Sequence, residues 1–150
     1  MFQGHSILSL DNKSRFILPA KFRKFIKPEA DNKLIITRGL DDCLLLYPMD
    51  EWEKLTAGLV NYNQFNPQQR NFIRQFFMYV HECELDSQNR ILIPSQLIEF
   101  GKLKREIMII GLIDKMEIWN PETKSEYDNK QDLTFEEVAE KVSEILRADN

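Results

Sequence analysis

The stretch SLDNKSRFILP, residues 9–19, decides the fold because a second copy of it follows later in the chain. That copy is ELDSQNRILIP, residues 84–94. Both copies read leucine, aspartate, three mostly polar residues, arginine, three apolar residues and proline. The two aspartates are 75 positions apart, and so are the two arginines. The chain therefore contains an internal duplication.

The duplication extends beyond these motifs. Each motif is followed by a short amphipathic segment, AKFRKFIKP in the first half and SQLIEFGKL in the second. The segment KLIITRGLDDCLLLYP then matches EIMIIGLIDKMEIWNP, which predicts a second pair of strands in each half. Each half reads strand, turn, strand, short helix, strand, turn, strand, helix. One such unit buries little surface alone, so the two copies are expected to share one core. The predicted class is α+β and β-rich.

The chain is predicted to have four segments. Residues 1–60 form the first repeat, 61–80 a linking helix, 81–127 the second repeat and 128–150 an acidic amphipathic helix. The polar stretch 122–132 is expected to be a flexible connection.

Start signals accompany two of the predicted helices. Asn66 and Pro67 are typical of a cap and a first helical position. Thr134, with Glu137 three residues on, forms a capping box. Aromatic residues surround much of the helix after Pro67, which predicts burial between the halves or in a subunit contact.

The repeated motif predicts a β-hairpin with Asp11 and Arg15 flanking its tip. An aspartate entering a turn accepts hydrogen bonds from backbone N–H groups two or more residues on. It can also hold the guanidinium of the facing arginine, which would then project in one orientation. The alternative is that both motifs are only tight turns, with the Asp–Arg pair as scaffolding.

The charge distribution is uneven along the 150 residues. The net charge is −4, yet residues 1–40 hold eight basic and three acidic side chains, a net +5. A polyanion partner needs only a local basic face, and this segment could supply one. No apolar run reaches the length of a membrane span, and the N-terminus has no secretory pattern. Cys43 and Cys83 have no metal-type spacing, so they are interpreted as idle thiols in a reducing cytoplasm.

The motifs, together with TRGLD and LYPMDEW, resemble the MraZ family of bacterial transcriptional regulators from Met1 to about Tyr127. The resemblance implies a tandem swapped-hairpin, AbrB-like β-barrel with short flanking helices. It also implies assembly into a homo-oligomeric ring that binds double-stranded DNA at promoters of the division and cell-wall gene cluster. Because ring neighbours are related head to tail, we expect the target to be a set of direct repeats. The DNA-binding residues it implies are Asn12, Lys13, Arg15, Gln88 and Arg90, with Asp11 and Asp86 orienting the turns.

One position departs from the pattern of that family. The residue before each arginine is often glycine there, and here it is Ser14 or Asn89. Asparagine tolerates a positive φ better than serine does.

Three other functions are weighed against DNA binding. His81 and Cys83 share one face of a predicted strand, and His5 and Cys43 could join them as a metal set, but no catalytic or metal-binding motif accompanies them. A structural ring or protein-interaction module, and an AbrB-type antitoxin, also remain open. We expect no enzyme activity, no cofactor, no metal, no membrane partner and no small-molecule substrate. The expected location is the cytoplasm, in association with the nucleoid.

Overall fold

The structure, a computed structural model, describes residues 1–148. These residues form eight strands, which are β1 His5–Ser9, β2 Arg15–Ile17, β3 Lys33–Arg38, β4 Leu44–Pro48, β5 His81–Glu84, β6 Arg90–Leu92, β7 Glu106–Leu112 and β8 Lys115–Trp119. The same residues form six α-helices, which are α1 Ala20–Arg23, α2 Met49–Leu59, α3 Pro67–Phe77, α4 Ser95–Phe100, α5 Pro121–Asn129 and α6 Phe135–Ala148. The predicted α+β, β-rich class is confirmed. So is the order of elements in both halves, except that the second half has one unpredicted helix, α5, before α6.

The strands form one six-stranded antiparallel sheet and one two-stranded ribbon within the described residues. The sheet has the order β1-β7-β8-β4-β3-β5, and β2 pairs with β6 in the ribbon. Each half gives its first strand to the other half, since β1 pairs with β7 and β5 pairs with β3. A simple hairpin of β1 with β2 was therefore the wrong expectation, whereas this exchange of strands agrees with the swapped-hairpin arrangement implied by the family resemblance. The chain turns sharply between them, but the two strands then join different sheets.

The register shows an approximate two-fold relation between the halves. In the ribbon, Phe16 lies opposite Ile91, which is its own counterpart 75 positions later. In the sheet, Leu45 lies opposite Glu117, its counterpart 72 positions later. Equivalent residues meet in this way only where a two-fold axis passes between two antiparallel strands. The axis therefore runs through the ribbon and through the β4–β8 pair.

The core lies between the ribbon and one face of the sheet. Phe16 and Ile91 point into it from the ribbon, and residues such as Leu34, Leu46 and Ile109 point into it from the sheet. Burying a large apolar side chain of this kind stabilises the fold by about 1.5–3 kcal/mol. The ribbon is therefore fixed by its buried side chains, although each of its strands has only three residues.

A second apolar cluster covers the outer face of the sheet. Helices α2 and α3 bring Trp52 and Phe76 onto Ile35 and Tyr47. The Thr37 hydroxyl donates a hydrogen bond to the Phe76 carbonyl at 3.2 Å, which ties the end of α3 to β3. Helix α3 thus packs on the outside of the sheet instead of between the halves.

The predicted helix starts are confirmed. The Asn66 side chain accepts a hydrogen bond from Gln69 N at 3.1 Å, and Pro67 is the first residue of α3. The Thr134 hydroxyl accepts one from Glu137 N at 3.1 Å just before α6 begins.

The stretch 122–132 is not a flexible connection, because most of it belongs to α5. The Asn120 side chain accepts a hydrogen bond from Glu122 N at 2.9 Å and caps this helix. The Tyr127 ring lies 5.4 Å from the Trp119 ring, which holds α5 against the end of β8. Few of its residues face the protein, so its sequence carries only a weak apolar pattern.

Helix α6 covers Phe135–Ala148 of the segment 128–150 that was predicted to be an acidic helix, and residues 128–129 belong to α5 instead. Residues 149–150 of that segment lie outside the described residues. Helix α6 has no buried residue among those described. In residues 1–148 no helix combines the length and apolar character needed to cross a bilayer.

Candidate nucleic-acid interface

The first turn is held by one carboxylate. Asp11 Oδ1 accepts hydrogen bonds from the backbone N–H groups of Lys13 and Arg15, both at 2.9 Å. Asp11 Oδ2 accepts one from Arg15 Nε at 2.8 Å. A single aspartate therefore closes the turn and fixes the arginine side chain, as its position in the motif predicted.

The second turn has the same hydrogen bonds. Asp86 Oδ1 accepts from the N–H groups of Gln88 and Arg90 at 2.8 Å, and Oδ2 accepts from Arg90 Nε at 2.7 Å. Both guanidinium groups are thus held through Nε. Within residues 1–148, no acceptor bonds their Nη nitrogens, which leaves these four donor groups for a ligand.

Electrostatics reinforce both turns. The backbone N–H of Arg15 is the largest cause that lowers the pKa of Asp11 below its ordinary value of 3.8, and the Arg15 side chain adds to it. The N–H and side chain of Arg90 lower the pKa of Asp86 in the same way. Both aspartates are therefore ionised at neutral pH, as the ion pairs with the arginines require.

The turns need a left-handed residue just before each arginine. Ser14 has φ 61° and Asn89 has φ 60°. The carbonyl of Ser14 accepts a hydrogen bond from Ile93 N, and that of Asn89 accepts one from Leu18 N, both at 2.9 Å. Each turn is therefore bonded to the strand that leaves the other turn, and the two turns form one unit.

The ribbon sets the distance between the arginines. Arg15 lies opposite Leu92, and Arg90 lies opposite Ile17. Two residues along a strand span about 7 Å and paired strands lie about 5 Å apart, which places the two arginine Cα atoms roughly 8 Å apart. Phe16 is buried between them, so both arginines lie on the outward face of the ribbon.

The structure brings the residues expected to bind DNA together in this unit. Asn12, Lys13 and Gln88 are exposed at the two tips, and Arg15 and Arg90 are half-buried at their bases.

Two basic residues beside the first turn were missed by sequence reasoning. Arg105 accepts a hydrogen bond from Leu10 N through its carbonyl at 2.7 Å. With Lys104 it lines a groove of about 210 Å³ along Asp11 and Asn12. Both side chains are exposed. The run GKLKRE at 101–106 was the available signal, but it lies in the acidic second half, more than 85 positions from the turn.

The neighbourhood of the second turn is less basic. Leu85 is the counterpart of Leu10, and its N–H donates a hydrogen bond to the carbonyl of Asn32 at 3.2 Å. The uncharged Asn32 thus takes the place that Arg105 has beside the first turn. The strand that leads to the second turn carries exposed Glu82 and Glu84, where the first half has Ile7 and Ser9. The first tip is thus the more electropositive one.

No group of three or more His, Cys, Asp or Glu side chains in residues 1–148 is arranged to hold a metal. His81 Nε2 instead lies 3.0 Å from Gln96 Oε1.

The two cysteines are unreactive thiols. Burial raises the pKa of the Cys83 thiol to about 12. Burial and nearby Glu117 likewise raise the pKa of Cys43. Both thiols are protonated at neutral pH, which makes them poor nucleophiles.

A family described as "MraZ protein, putative antitoxin-like" matches the chain over residues 1–75 and again over 76–144. The chain belongs to the MraZ family. It is 41% identical over 145 residues to the Transcriptional regulator MraZ of Clostridium beijerinckii, a match that covers 97% of this chain and 99% of the relative. It is 40% identical over 145 residues, with the same coverage, to the Transcriptional regulator MraZ of Halothermothrix orenii.

A further relative, the Transcriptional regulator MraZ of Thermoanaerobacter sp. strain X514, is 39% identical over 145 residues, again covering 97% of this chain and 99% of the relative. The MraZ family resemblance read from the two motifs is confirmed. The relatives are named as transcriptional regulators, which is not a class of enzymes.

Proposed function

We propose that this MraZ-family chain is a sequence-specific DNA-binding regulator that acts on promoter direct repeats as a homo-oligomeric ring, in association with the nucleoid. The observation that carries the proposal is the paired Asp–Arg unit. Each arginine is fixed through Nε by its aspartate and keeps both Nη nitrogens for a ligand. Arginine held in one orientation can donate two hydrogen bonds to guanine, the commonest specific contact in the major groove.

The basic residues around the first tip suit the DNA backbone. Lys13, Lys104 and Arg105 are exposed beside Asn12, and together they could contact phosphates on either side of a base read by Arg15. A chain with net charge −4 can bind DNA in this way because the positive charge is concentrated at one tip.

Exposed aromatic residues support self-association. On the outer face of the sheet, the rings of Phe72 and Phe77 each lie 5.7 Å from the Phe76 ring and remain 45% and 37% exposed. Phe65, in the loop before α3, is 92% exposed. A cluster of large apolar side chains left open to solvent is typical of an interaction surface. Native mass measurement at low micromolar concentration should give an assembly larger than a dimer.

The DNA experiment compares three arginine-to-alanine variants on a fragment from upstream of the protein's own gene. Arg15→Ala should abolish the specific footprint, since one bidentate contact is worth about 1–3 kcal/mol of discrimination and a ring repeats that loss in several subunits. Arg90→Ala should weaken binding less, because Glu82 and Glu84 lie beside it. Arg147→Ala, on the exposed helix α6, removes the same charge away from the ribbon and from α3, and should footprint like the parent chain.

The alternatives give different results. A purely structural ring or protein-interaction module would bind DNA weakly and without sequence preference, or fail to bind it, at every salt concentration. An Arg15→Ala variant that aggregates would favour the scaffolding role of the motif. A footprint unchanged by Arg15→Ala would refute the role proposed for that residue.

The direct-repeat part of the proposal has its own test. Ring neighbours related head to tail would present the first tip in one orientation along the rim. Inserting five base pairs between repeats turns the next repeat to the far side of the duplex and should lose most of the affinity. Ten base pairs should restore part of it, since a groove returns about every 10–10.5 base pairs. Affinity indifferent to the five-base-pair insertion would refute the direct-repeat arrangement.

A further inference from the structure

The outward face of the β2–β6 ribbon carries two large apolar side chains, each directly across from one of the arginines. Ile17 is 57% exposed and Leu92 is 54% exposed. They occupy equivalent positions in the two halves, 75 residues apart. An exposed face of a short ribbon needs no apolar residue for stability, because Phe16 and Ile91 already anchor this ribbon from the other side. The position of Ile17 and Leu92 beside two arginines whose Nη donors are free within residues 1–148 makes this face a candidate ligand surface.

Their placement alternates with the arginines. Ile17 lies directly opposite Arg90, and Leu92 lies directly opposite Arg15. Each cross-strand pair thus joins one guanidinium to one aliphatic side chain. The two pairs are two residues apart, or about 7 Å. That separation equals two base-pair steps of B-DNA, since each step rises about 3.4 Å.

The width of the face also matches DNA. Two paired strands lie about 5 Å apart, and the major groove, about 12 Å wide, admits a two-stranded ribbon. Among the base edges in that groove, only thymine presents a methyl group, and aliphatic side chains recognise it by contact.

We propose that Ile17 and Leu92 read thymine methyl groups in the major groove, next to the guanines that Arg15 and Arg90 read. The proposal rests on the DNA-binding function proposed above and adds the second base type to it. A second copy of this chain is the less suitable occupant. Two such faces in contact would bury the Nη donors of four arginines against Ile17 and Leu92, which offer no acceptor, and a buried donor without a partner is costly.

The test uses DNA that lacks only the methyl group. A bound site is first selected from a random pool with the parent protein, and each thymidine in it is then replaced by deoxyuridine. Burying one methyl group is worth roughly 0.8 kcal/mol, so each contacted position should weaken binding about fourfold. The affinity is measured by fluorescence anisotropy at one fixed salt concentration.

The variants identify which side chains make the contact. Ile17→Ser and Leu92→Ser should each bind the selected site more weakly and lose the difference between thymidine and deoxyuridine at one position. Ile17→Val keeps aliphatic methyl groups and should keep that difference. Ile7→Ser, an exposed residue of β1, is the matched control and should bind like the parent chain.

Three results would overturn the proposal. The first is equal affinity of the parent protein for the thymidine and deoxyuridine sites. The second is a methyl effect of the same size in the parent chain and both serine variants. The third is a change in native mass of Ile17→Ser or Leu92→Ser without DNA, which would assign the face to a subunit contact. If the random pool yields no preferred site at all, the DNA-binding function itself fails, and the methyl contacts fail with it.

Discussion

Replacing Ser14 with glycine should stabilise the protein, because this residue holds a left-handed backbone with a side chain that makes no hydrogen bond within residues 1–148. Its φ is 61°, where an L-residue with a Cβ carries a cost of about 1–2 kcal/mol. Glycine removes that cost but loses about 0.5–1 kcal/mol through the greater freedom of its unfolded chain. The hydrogen bonds of Ser14 in this turn use only its backbone, so they persist in glycine. The net expectation is a gain of roughly 0.5–1 kcal/mol.

Two variants make this prediction specific. Asn89→Gly changes the equivalent residue, with φ 60°, but asparagine tolerates this conformation, so its gain should be smaller. Ser9→Gly, in the extended strand β1, should instead destabilise the protein by about 0.5–1 kcal/mol.

Urea titration and thermal unfolding at one fixed protein concentration measure these differences. A gain of 1 kcal/mol should raise Tm by about 2–4 °C in a domain of this size. A Ser14→Gly variant that is no more stable than the parent, or that loses as much as Ser9→Gly, would show that the left-handed turn costs nothing here.

Three more predictions concern stability. The folded-state pKa values of Asp11 and Asp86 are lowered. The two carboxylates therefore add to the free energy of unfolding above the ordinary pKa of 3.8, and this stabilisation is lost as pH falls through the lowered values. Replacing both by asparagine should therefore flatten the fall of the urea midpoint between pH 5 and 2, and an unchanged slope would contradict this. Gly111→Ala should destabilise the fold, since its Cβ would lie 2.4 Å from the backbone nitrogen of Gln3. Gly58→Ala has open space around it in α2 and should stabilise the fold by up to about 1 kcal/mol. Urea titration measures both variants, and equal effects would refute the packing argument. Phe76→Ala should lower the free energy of unfolding by about 3–5 kcal/mol, because this buried ring lies 5.8 Å from Trp52. A loss below 1 kcal/mol in that titration would show that the outer cluster contributes little.

Local features of the site could be predicted from the sequence. The hydrogen bonds of Asp11 span only two to four positions, so the motif itself specifies them. The positive φ of Ser14 follows from the same short turn. The second copy confirms the reasoning, because Asp86 repeats every contact.

Long-range features could not be predicted in the same way. Strand β1 leaves β2 to pair with β7, and no local pattern distinguishes that partner from an adjacent one. The approach of Lys104 and Arg105 to the first turn depends on this exchange. Helix α5 was missed because two contacts near its ends, a cap and one aromatic pair, hold it without a continuous apolar stripe.

The two-fold relation within one chain also bears on the direct repeats proposed for the target. Two identical tips related by a two-fold axis would read a palindrome, because each would meet the same bases on opposite strands. The tips are not identical, however. The first has Lys13 and lies beside Lys104 and Arg105, while the second has Gln88 and follows an acidic strand.

Phosphate contacts supply much of the binding free energy, so the first tip should dominate the affinity. One dominant tip gives each subunit a direction along the DNA despite the nearly symmetric ribbon. Subunits that repeat this direction around a ring then require direct repeats. A variant can exchange the two tip sequences, so that Ser87-Gln88-Asn89 replaces Asn12-Lys13-Ser14 in the first turn and the reverse holds in the second. This exchange would reduce the difference in positive charge between the two tips. Because Lys104 and Arg105 remain beside the first turn, the preference for direct over inverted repeats should fall but persist. A complete reversal would show that the tips alone set the direction.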